Sequence, residues 1–295
     1  MSIAGDHGHA PGGTAAEGVL AAAMWSYAVN VLYPAQWLKR SGIVPRSPPL
    51  GDLPREIPAP GLGPKFSRLH QRPVLLDAAT DHDHLVVEFD KMAEVYDAFV
   101  RPFSSPIFDE ALDEIRAFLH PDSRVLDAGC GAGRELQRIA GLVPHGEVVG
   151  VDLAAGMVNA AWLDARAHGF ANCAFFQADV GALPDALTGE FDVVYNSLAH
   201  HHYPEPAKAA SAVLRALRPG GVYCVIDPGP EWFNAVSRRF ARWSDPGWIG
   251  FHSPEEFRTL LLSAGFTRAS WREVLPGFGV AVGQKPLRVP RLARD

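Results

Sequence analysis

A glycine-rich turn at the end of a predicted strand is the feature of this sequence best suited to binding a ligand. Val125–Gly133 reads Val-Leu-Asp-Ala-Gly-Cys-Gly-Ala-Gly, and a helical pattern follows it. Glycines at such a junction permit a tight turn and a close approach of the backbone to a ligand, and the first turn of the helix favours a negative group. A lone Gly-x-Gly is weak evidence, but this one directly follows an apolar run that contains Asp127.

Two further acids end the next two predicted strands. Asp152 closes the second strand, 19 residues after Gly133, and Asp179 closes the third. An acid at the tip of the second strand is suited to binding two ribose hydroxyls, and one after the third could accept a bond from an adenine amine. Either Asp127 or Asp179 alone could instead cap a helix or a turn. The three acids together favour a nucleoside site.

The spacing of the glycines narrows the ligand. A dinucleotide-binding turn needs glycine at its sixth position, where this chain has Arg134. A phosphate-binding loop would continue with Gly-Lys-Ser/Thr, which is absent. The loop therefore predicts a nucleoside ligand without a pyrophosphate.

Three adjacent histidines follow the fourth predicted strand. Asn196 and Ser197 end that strand, and His200, His201 and His202 come after it. Strand ends in this part of an open α/β sheet bind ligands, and an ordinary histidine can accept a proton near neutral pH. Adjacent side chains cannot all converge on one ion, so we expect no metal site.

Short apolar runs that alternate with helical patterns must position these residues. This alternation, with nearly unbroken apolar strands, predicts a parallel sheet with helices on both faces. A capped helix from Ser253 to Gly265 and a hairpin of Thr267–Leu275 with Phe278–Lys285 follow. The predicted strands are Arg124–Ala128, Glu147–Asp152, Cys173–Asp179, Asp192–Ser197 and Val222–Asp227, and the helices between them are Arg134–Leu142, Gly156–His168 and Pro206–Leu217.

Composition excludes several classes of function. The 295 residues include 27 Lys and Arg against 33 Asp and Glu, which argues against a non-specific nucleic-acid binder. Three cysteines do not form a disulfide framework, so we expect a cytoplasmic location. The apolar run Val19–Tyr33 is shorter than the roughly 20 residues of a membrane span.

The first quarter of the chain has a different character. Ten of the 25 prolines lie within residues 1–75. We expect a mobile start over residues 1–17, a helix over 18–33 and a segment from Pro34 to Pro73 without long regular structure. Helical spacing over Val86–Phe99 and a proline-capped start at Ser105 predict two helices before the first strand.

Taken together, these motifs resemble the class I S-adenosylmethionine-dependent methyltransferases over about residues 86–285. The resemblance rests on the glycine loop, Asp152, Asp179, Phe191–Ser197 and the run Leu217-Arg-Pro-Gly-Gly221, in this order and spacing. It implies a Rossmann-like sheet of seven strands, mostly parallel with an antiparallel last strand. It also divides the chain into an N-terminal extension, 1–85, and a methyltransferase domain, 86–295.

The resemblance assigns roles to individual residues. Asp127 and the Gly129–Gly131 turn would face the methionine part of S-adenosylmethionine, with Cys130 as a small apolar residue. Asp152 would bind the ribose, and Tyr96, on a helix similar to the cofactor-covering helix of quinone methyltransferases, could reach the cofactor carboxylate or the substrate. The residues expected around the adenine are Leu153, Met157, Asp179 and Val180, and Asn196 and Ser197 complete the expected cofactor set.

Catalysis is expected at the histidines. The segment resembles the His-His-x-Pro stretch of small-molecule methyltransferases, which implies His201 as a general base with His202 or Asp227 as second choice. The expected reaction is methyl transfer to a small-molecule hydroxyl. Transfer to carbon or nitrogen by positioning alone, or a non-catalytic cofactor-binding or assembly protein, are the alternatives. The extension is also a candidate homodimer contact.

Overall fold

A computed structural model describes residues 22–54, 61–75, 86–87, 96–244 and 248–287. The strands are β1 (Leu50–Gly51), β2 (Arg124–Ala128), β3 (Glu147–Asp152), β4 (Cys173–Gln177), β5 (Phe191–Ser197), β6 (Leu217–Pro228), β7 (Arg268–Leu275) and β8 (Phe278–Gln284). The helices are α1 (Tyr33–Arg40), α2 (Phe66–Leu69), α3 (Tyr96–Arg116), α4 (Arg134–Ala140), α5 (Ala155–Ala167), α6 (Pro206–Ala216), α7 (Glu231–Ser244) and α8 (Pro254–Ala264).

All eight strands form one sheet in the order β1-β7-β8-β6-β5-β2-β3-β4. The five strands from β6 to β4 are parallel, and their central residues are buried. One face packs under α3, α4 and α5, and the other under α6 and α8. The chain runs outward from β2 to β4 and then crosses back to β5, so a crevice opens between the carboxyl ends of β2 and β5.

The expected α/β sheet is confirmed, with one correction. It has eight strands rather than seven, because Leu50 and Gly51 of the extension pair with Trp271 and Ser270 of β7. The predicted hairpin of β7 and β8 forms, and β8 lies between β6 and β7. Every residue of β8 is buried, as expected of an interior strand.

The first described helix extends beyond its predicted end. We expected the helix to stop at Tyr33 because Pro34 follows, but helical backbone runs from residue 22 to Arg40. A π-helical turn over Ala28–Leu32, in which the Tyr33 N–H donates to the Ala28 carbonyl, precedes Pro34. This wider turn lets the proline begin α1, where its missing N–H costs little. Residues 1–21, including the expected mobile start, lie outside the described residues.

Helix α3 covers most of the second helix predicted before β2 and the last residues of the first, Val86–Phe99, of which residues 88–95 lie outside the described residues. Helix α3 runs through both Pro102 and Pro106 instead of starting at Ser105. Its buried residues Ile107 and Phe108 pack into the core, and packing of this kind supplies most of the stability of a helix in a protein. None of the described helices combines the length and the hydropathy that crossing a bilayer requires.

The described parts of the extension wrap around the sheet. Beyond the pairing of β1 with β7, Val74 bridges to Phe176 of β4 at the opposite edge. Between these two points, Glu147 at the start of β3 accepts bonds from the backbone N–H groups of Lys65 and Ser67, at 2.8 and 2.9 Å. The division at residue 85 stays a prediction.

Candidate functional site

A cavity of about 610 Å³ opens at the crevice between β2 and β5. Such a volume is typical of sites for small molecules and cofactors. The glycine loop and the first turns of α4 form one wall, α3 forms a second, and the segment after β5 forms a third. Eleven of the fifteen predicted site residues line it, namely Asp127, Gly129, Cys130, Gly131, Asp152, Leu153, Met157, Asp179, Val180, Ser197 and His202.

The glycine loop needs its glycines for two reasons. Gly129 and Gly131 have positive φ angles of 90° and 48°. A Cβ on Gly129 would lie 2.8 Å from the Cβ of Ala199, in the segment that follows β5. The loop is held against β3 because the N–H groups of Gly129 and Cys130 both donate to the Val151 carbonyl. Glycine therefore lets the two walls approach each other at the mouth of the crevice.

Asp152 organises the loop as well as lining the cavity. Its Oδ2 accepts a bond from the Gly131 N–H at 2.9 Å, and its Oδ1 accepts one from the Ala154 N–H at 3.0 Å. These two bonds fix the side chain in place at the cavity, where a carboxylate suits bonds from the hydroxyl groups of a ligand.

Asp127 is a buried acid beneath the glycine loop. Its Oδ2 accepts a bond of 2.5 Å from the Tyr195 hydroxyl, and 2% of the residue is exposed. Burial raises the pKa of Asp127 well above its usual value, against the effect of the Tyr195 bond, and the charges of Glu135 and Asp152 raise it further. A cationic ligand group beside Asp127 would favour the ionised form.

Asp179 combines two roles that the sequence left as alternatives. Its Oδ1 accepts a bond of 2.7 Å from the Gly181 N–H and so caps the short 3₁₀ turn Val180–Ala182. The same residue lines the cavity, beside Leu153 and Met157. Two apolar side chains and a carboxylate in one lining suit a flat heterocycle that carries an amino group.

Asn196 lies behind the cavity wall rather than on it. Its side chain is fully buried and donates to the Ala128 carbonyl and to the Tyr203 hydroxyl. Tyr203 in turn donates to the same carbonyl at 2.7 Å and lines the cavity. Neighbouring Leu198 has the one positive φ of a non-glycine residue in the described chain, 52°. These bonds hold the segment after β5 against the end of β2.

His201 and Asp227 form a close pair beside the cavity. His201 Nδ1 lies 2.6 Å from Asp227 Oδ1, and the aspartate side chain is fully buried at the end of β6. The His201 ring lies 4.1 Å from the ring of His202, which lines the cavity. A carboxylate at Nδ1 favours the tautomer with its hydrogen on that nitrogen, which would leave Nε2 to take a proton.

His200 is a packed core residue. Its ring contacts those of Tyr203, His252 and Phe257. Burial lowers the pKa of His200 well below its usual value, and the neighbouring histidines lower it further. It therefore stays neutral, which separates it from His201 and His202.

Cys130 is buried, and burial raises the pKa of its thiol well above the usual value, so it does not act as a thiolate.

No cluster of three or more metal-binding side chains occurs in the part of the chain that the structure describes.

The structure adds residues that the sequence did not single out. Arg101, Ser104, Ser105 and Asp109 of α3 line the cavity. Their spacing of three and four marks one face of a helix, but the expected break at Ser105 concealed it. The side chain of Tyr96, on the same helix, lies outside the described part.

Comparisons with known proteins agree with this geometry. A family model described as a methyltransferase domain matches residues 119–252. Nocamycin O-methyltransferase from Saccharothrix syringae is 36% identical over 150 residues, which are 49% of this chain and 52% of that protein. Demethylmenaquinone methyltransferase from Thermus thermophilus is 31% identical over 187 residues, which are 55% of this chain and 83% of that protein.

The chain belongs to the class I S-adenosylmethionine-dependent methyltransferases. A solved S-adenosylmethionine-dependent methyltransferase from Aquifex aeolicus, 20% identical, shares the fold with a TM-score of 0.52, and the match covers 67% of this chain and 97% of that one. The chain spans about half the length of several curated relatives, for example 54% of a trans-aconitate 2-methyltransferase. The family's cofactor is S-adenosylmethionine, and the methyltransferase has a cavity of suitable size and polarity at the expected strand ends.

Proposed function

We propose that this protein transfers the methyl group of S-adenosylmethionine to a hydroxyl group of a small molecule. The cofactor would occupy the cavity, with its ribose at Asp152, its adenine between Leu153 and Met157 and its amino-acid part at the glycine loop. The lining supports this placement, because its carboxylates suit a ligand that carries sulfonium and ammonium charges.

The pairing of His201 with Asp227 is the observation on which we base oxygen as the methyl acceptor. A hydroxyl attacks well only when its proton is removed, and a buried carboxylate bonded to Nδ1 orients the ring and stabilises its protonated form. When bound, the cofactor would supply an electrophilic methyl group, and its sulfur would leave as the thioether once the acceptor oxygen takes the methyl. His201 Nε2 would take the hydroxyl proton. The name of the Saccharothrix relative, an O-methyltransferase, is consistent with this chemistry.

Water must be kept from this step, and the segment around His201 is built to do so. The carbonyl of His201 accepts bonds from the N–H groups of Ile249 and Gly250, which draws that loop over the histidine. Phe251 of the same loop packs against the His201 ring at 5.4 Å and against Trp248. Aromatic walls of this kind suit a flat, largely apolar acceptor.

Titration calorimetry followed by an acceptor screen tests the proposal. We expect wild-type protein to bind S-adenosylmethionine and to methylate a hydroxyl compound from the screen. His201→Ala should lower kcat by about 10²- to 10⁴-fold while the cofactor Kd changes less than twofold, because a general base contributes about that factor. His168→Ala is the matched control, because His168 is about half exposed and does not line the cavity. It should leave kcat unchanged.

The other outcomes separate the alternatives. Full turnover by His201→Ala would show transfer to carbon or nitrogen by positioning. Tight cofactor binding without methylation of any acceptor would favour a non-catalytic binding protein. No binding at all would overturn the placement of the cofactor.

A further inference from the structure

The cofactor cavity has one wall that is weak by itself. Helix α3 lines the cavity with Arg101, Ser104, Ser105 and Asp109. Over the same stretch it carries Pro102 and Pro106, and each proline removes one backbone hydrogen bond from the helix interior. The helix is therefore least able to hold its own shape where it faces the cavity.

The helical segment over residues 22–40, called the N-terminal helix below, packs against α3. Ala28 and Leu32 are fully buried in the cluster that also contains Ile107 and Phe108. Farther along, Lys39 and Arg40 lie 2.9 and 2.7 Å from the two carboxylate oxygens of Glu110. The contact between the two helices is therefore apolar at one end and ionic at the other.

Gln36 stands between these two contacts and reaches toward the cavity. It is 8% exposed, and its Nε2 lies 3.5 Å from the Pro106 carbonyl and 3.3 Å from Asp109 Oδ2. The other oxygen of Asp109 lies 2.5 Å from Arg138 Nη2. Arg138 belongs to α4 and also lines the cavity. One carboxylate thus joins the extension, α3 and the helix that follows the glycine loop.

We infer that the N-terminal helix is a positioning element of the cofactor site, which acts through Gln36 and Asp109 on the α3 wall. The inference rests on the proposed placement of S-adenosylmethionine in this cavity. Docking of the extension and binding of the cofactor should then be coupled, because both require the same position of α3. Neither Gln36 nor the extension needs to touch the cofactor.

Gln36→Met tests the inference with little change in side-chain volume. We expect the Kd for S-adenosylmethionine to rise about three- to tenfold, since the lost bond is long but goes to a charged group. Asp109→Asn, which keeps the shape and removes the charge, should raise the Kd in the same way. The double variant should bind no more weakly than Asp109→Asn alone, because that change already disturbs the link that Gln36→Met removes, together with the ion pair to Arg138.

Arg46→Ala is the matched control. Arg46 lies 3.2 Å from Asp113 of α3, so it joins the same two segments, but both side chains are about half exposed and off the cavity. We expect its Kd to equal that of the wild type. Each titration is run well below the melting temperature of its variant, so that a general loss of stability does not enter the Kd.

Hydrogen exchange of the α3 amides gives a second measurement. In the wild type, S-adenosylmethionine should slow exchange over residues 101–109, and Gln36→Met should reduce that protection. If both single variants bind the cofactor as tightly as wild type, the inference is wrong while the proposed function stands. If the wild type itself binds no cofactor, the proposed function fails first. Should Gln36→Met not fold, Arg40→Ala decides, because it removes an exposed contact from the same helix to Asp109 and Glu110 and does not line the cavity.

Discussion

Replacing Glu147 by glutamine should destabilise the fold by about 3 kcal/mol, although the residue lies at the opposite end of the sheet from the cavity. Glu147 is fully buried and accepts bonds from the backbone N–H groups of Lys65, Phe66 and Ser67 at 2.8, 3.2 and 2.9 Å. Its Oε1 also lies 2.9 Å from Nε of Arg124, whose side chain is 4% exposed. One carboxylate thus joins the extension to β2 and β3.

The size of the effect follows from what the substitution leaves behind. Glutamine keeps the shape and one acceptor oxygen, but it removes the charge opposite a buried guanidinium. Breaking a buried ion pair by removing one partner costs about 3–5 kcal/mol. Arg124 keeps a second partner in Glu190, together with the carbonyls of Leu62 and Gly63, so the lower end of that range applies.

Urea denaturation measures the effect, with Glu205→Gln as the matched control. Glu205 pairs with Lys208 on the surface, both more than half exposed, and such pairs contribute about 0–1 kcal/mol. We expect the unfolding midpoint of Glu147→Gln to fall clearly below that of the control. Amide exchange at residues 65–67 should also become faster. A loss under 1 kcal/mol with unchanged exchange would refute the assigned role of Glu147.

Three further predictions concern the cavity. Gly129→Ala should lower the free energy of unfolding by about 1–2 kcal/mol because of its positive φ alone, and it should also weaken cofactor binding. Gly169 has a similar φ and open space around it, so Gly169→Ala should lower only the stability. Denaturation measures the stability and calorimetry the binding. Because burial raises the pKa of Asp127, S-adenosylmethionine should bind more weakly as the pH falls through that raised pKa, and the protein should release a proton when it binds. Calorimetry in two buffers counts the released protons, and Asp127→Asn should abolish the release. Arg101 lines the cavity, and we propose that its guanidinium would bind the carboxylate of S-adenosylmethionine. Arg101→Ala should then lower the affinity for S-adenosylmethionine about tenfold but not for its decarboxylated analogue, and equal losses for both ligands would contradict this role.

The cavity lining at the glycine loop and the strand ends could be predicted from the sequence because its signals are local. Gly129 and Gly131 need particular backbone angles, and Asp152 comes at the end of a buried strand. The backbone angles and the strand end each depend on residues that are close together in the sequence, so the spacing of those residues indicates them directly. Asp179 shows the same, since the residue that caps the turn is also the one that lines the cavity.

The α3 wall could not be predicted because its stability comes from distant residues. Pro102 and Pro106 are strong helix-breaking signals, and they outweigh the helical spacing of Arg101, Ser104 and Asp109. The helix forms in spite of its prolines because α3 is buried against the sheet and against the N-terminal helix, which lies more than 60 residues earlier in the chain. The pairing of His201 with Asp227 is also long-range, and only the resemblance to a family indicated it.

The proline-rich composition of the extension becomes understandable from the path of that segment. An edge strand of a sheet exposes unpaired N–H and C=O groups, and this chain covers parts of both edges, with Leu50 and Gly51 at β7 and Val74 at β4. Where the backbone of such a segment pairs with no neighbouring strand, proline has no N–H that must be satisfied. The described contacts of the segment are made at a few residues and not along a continuous apolar face. This explains why its sequence lacks the periodicity of a helix or strand, although it contacts both edges of the sheet.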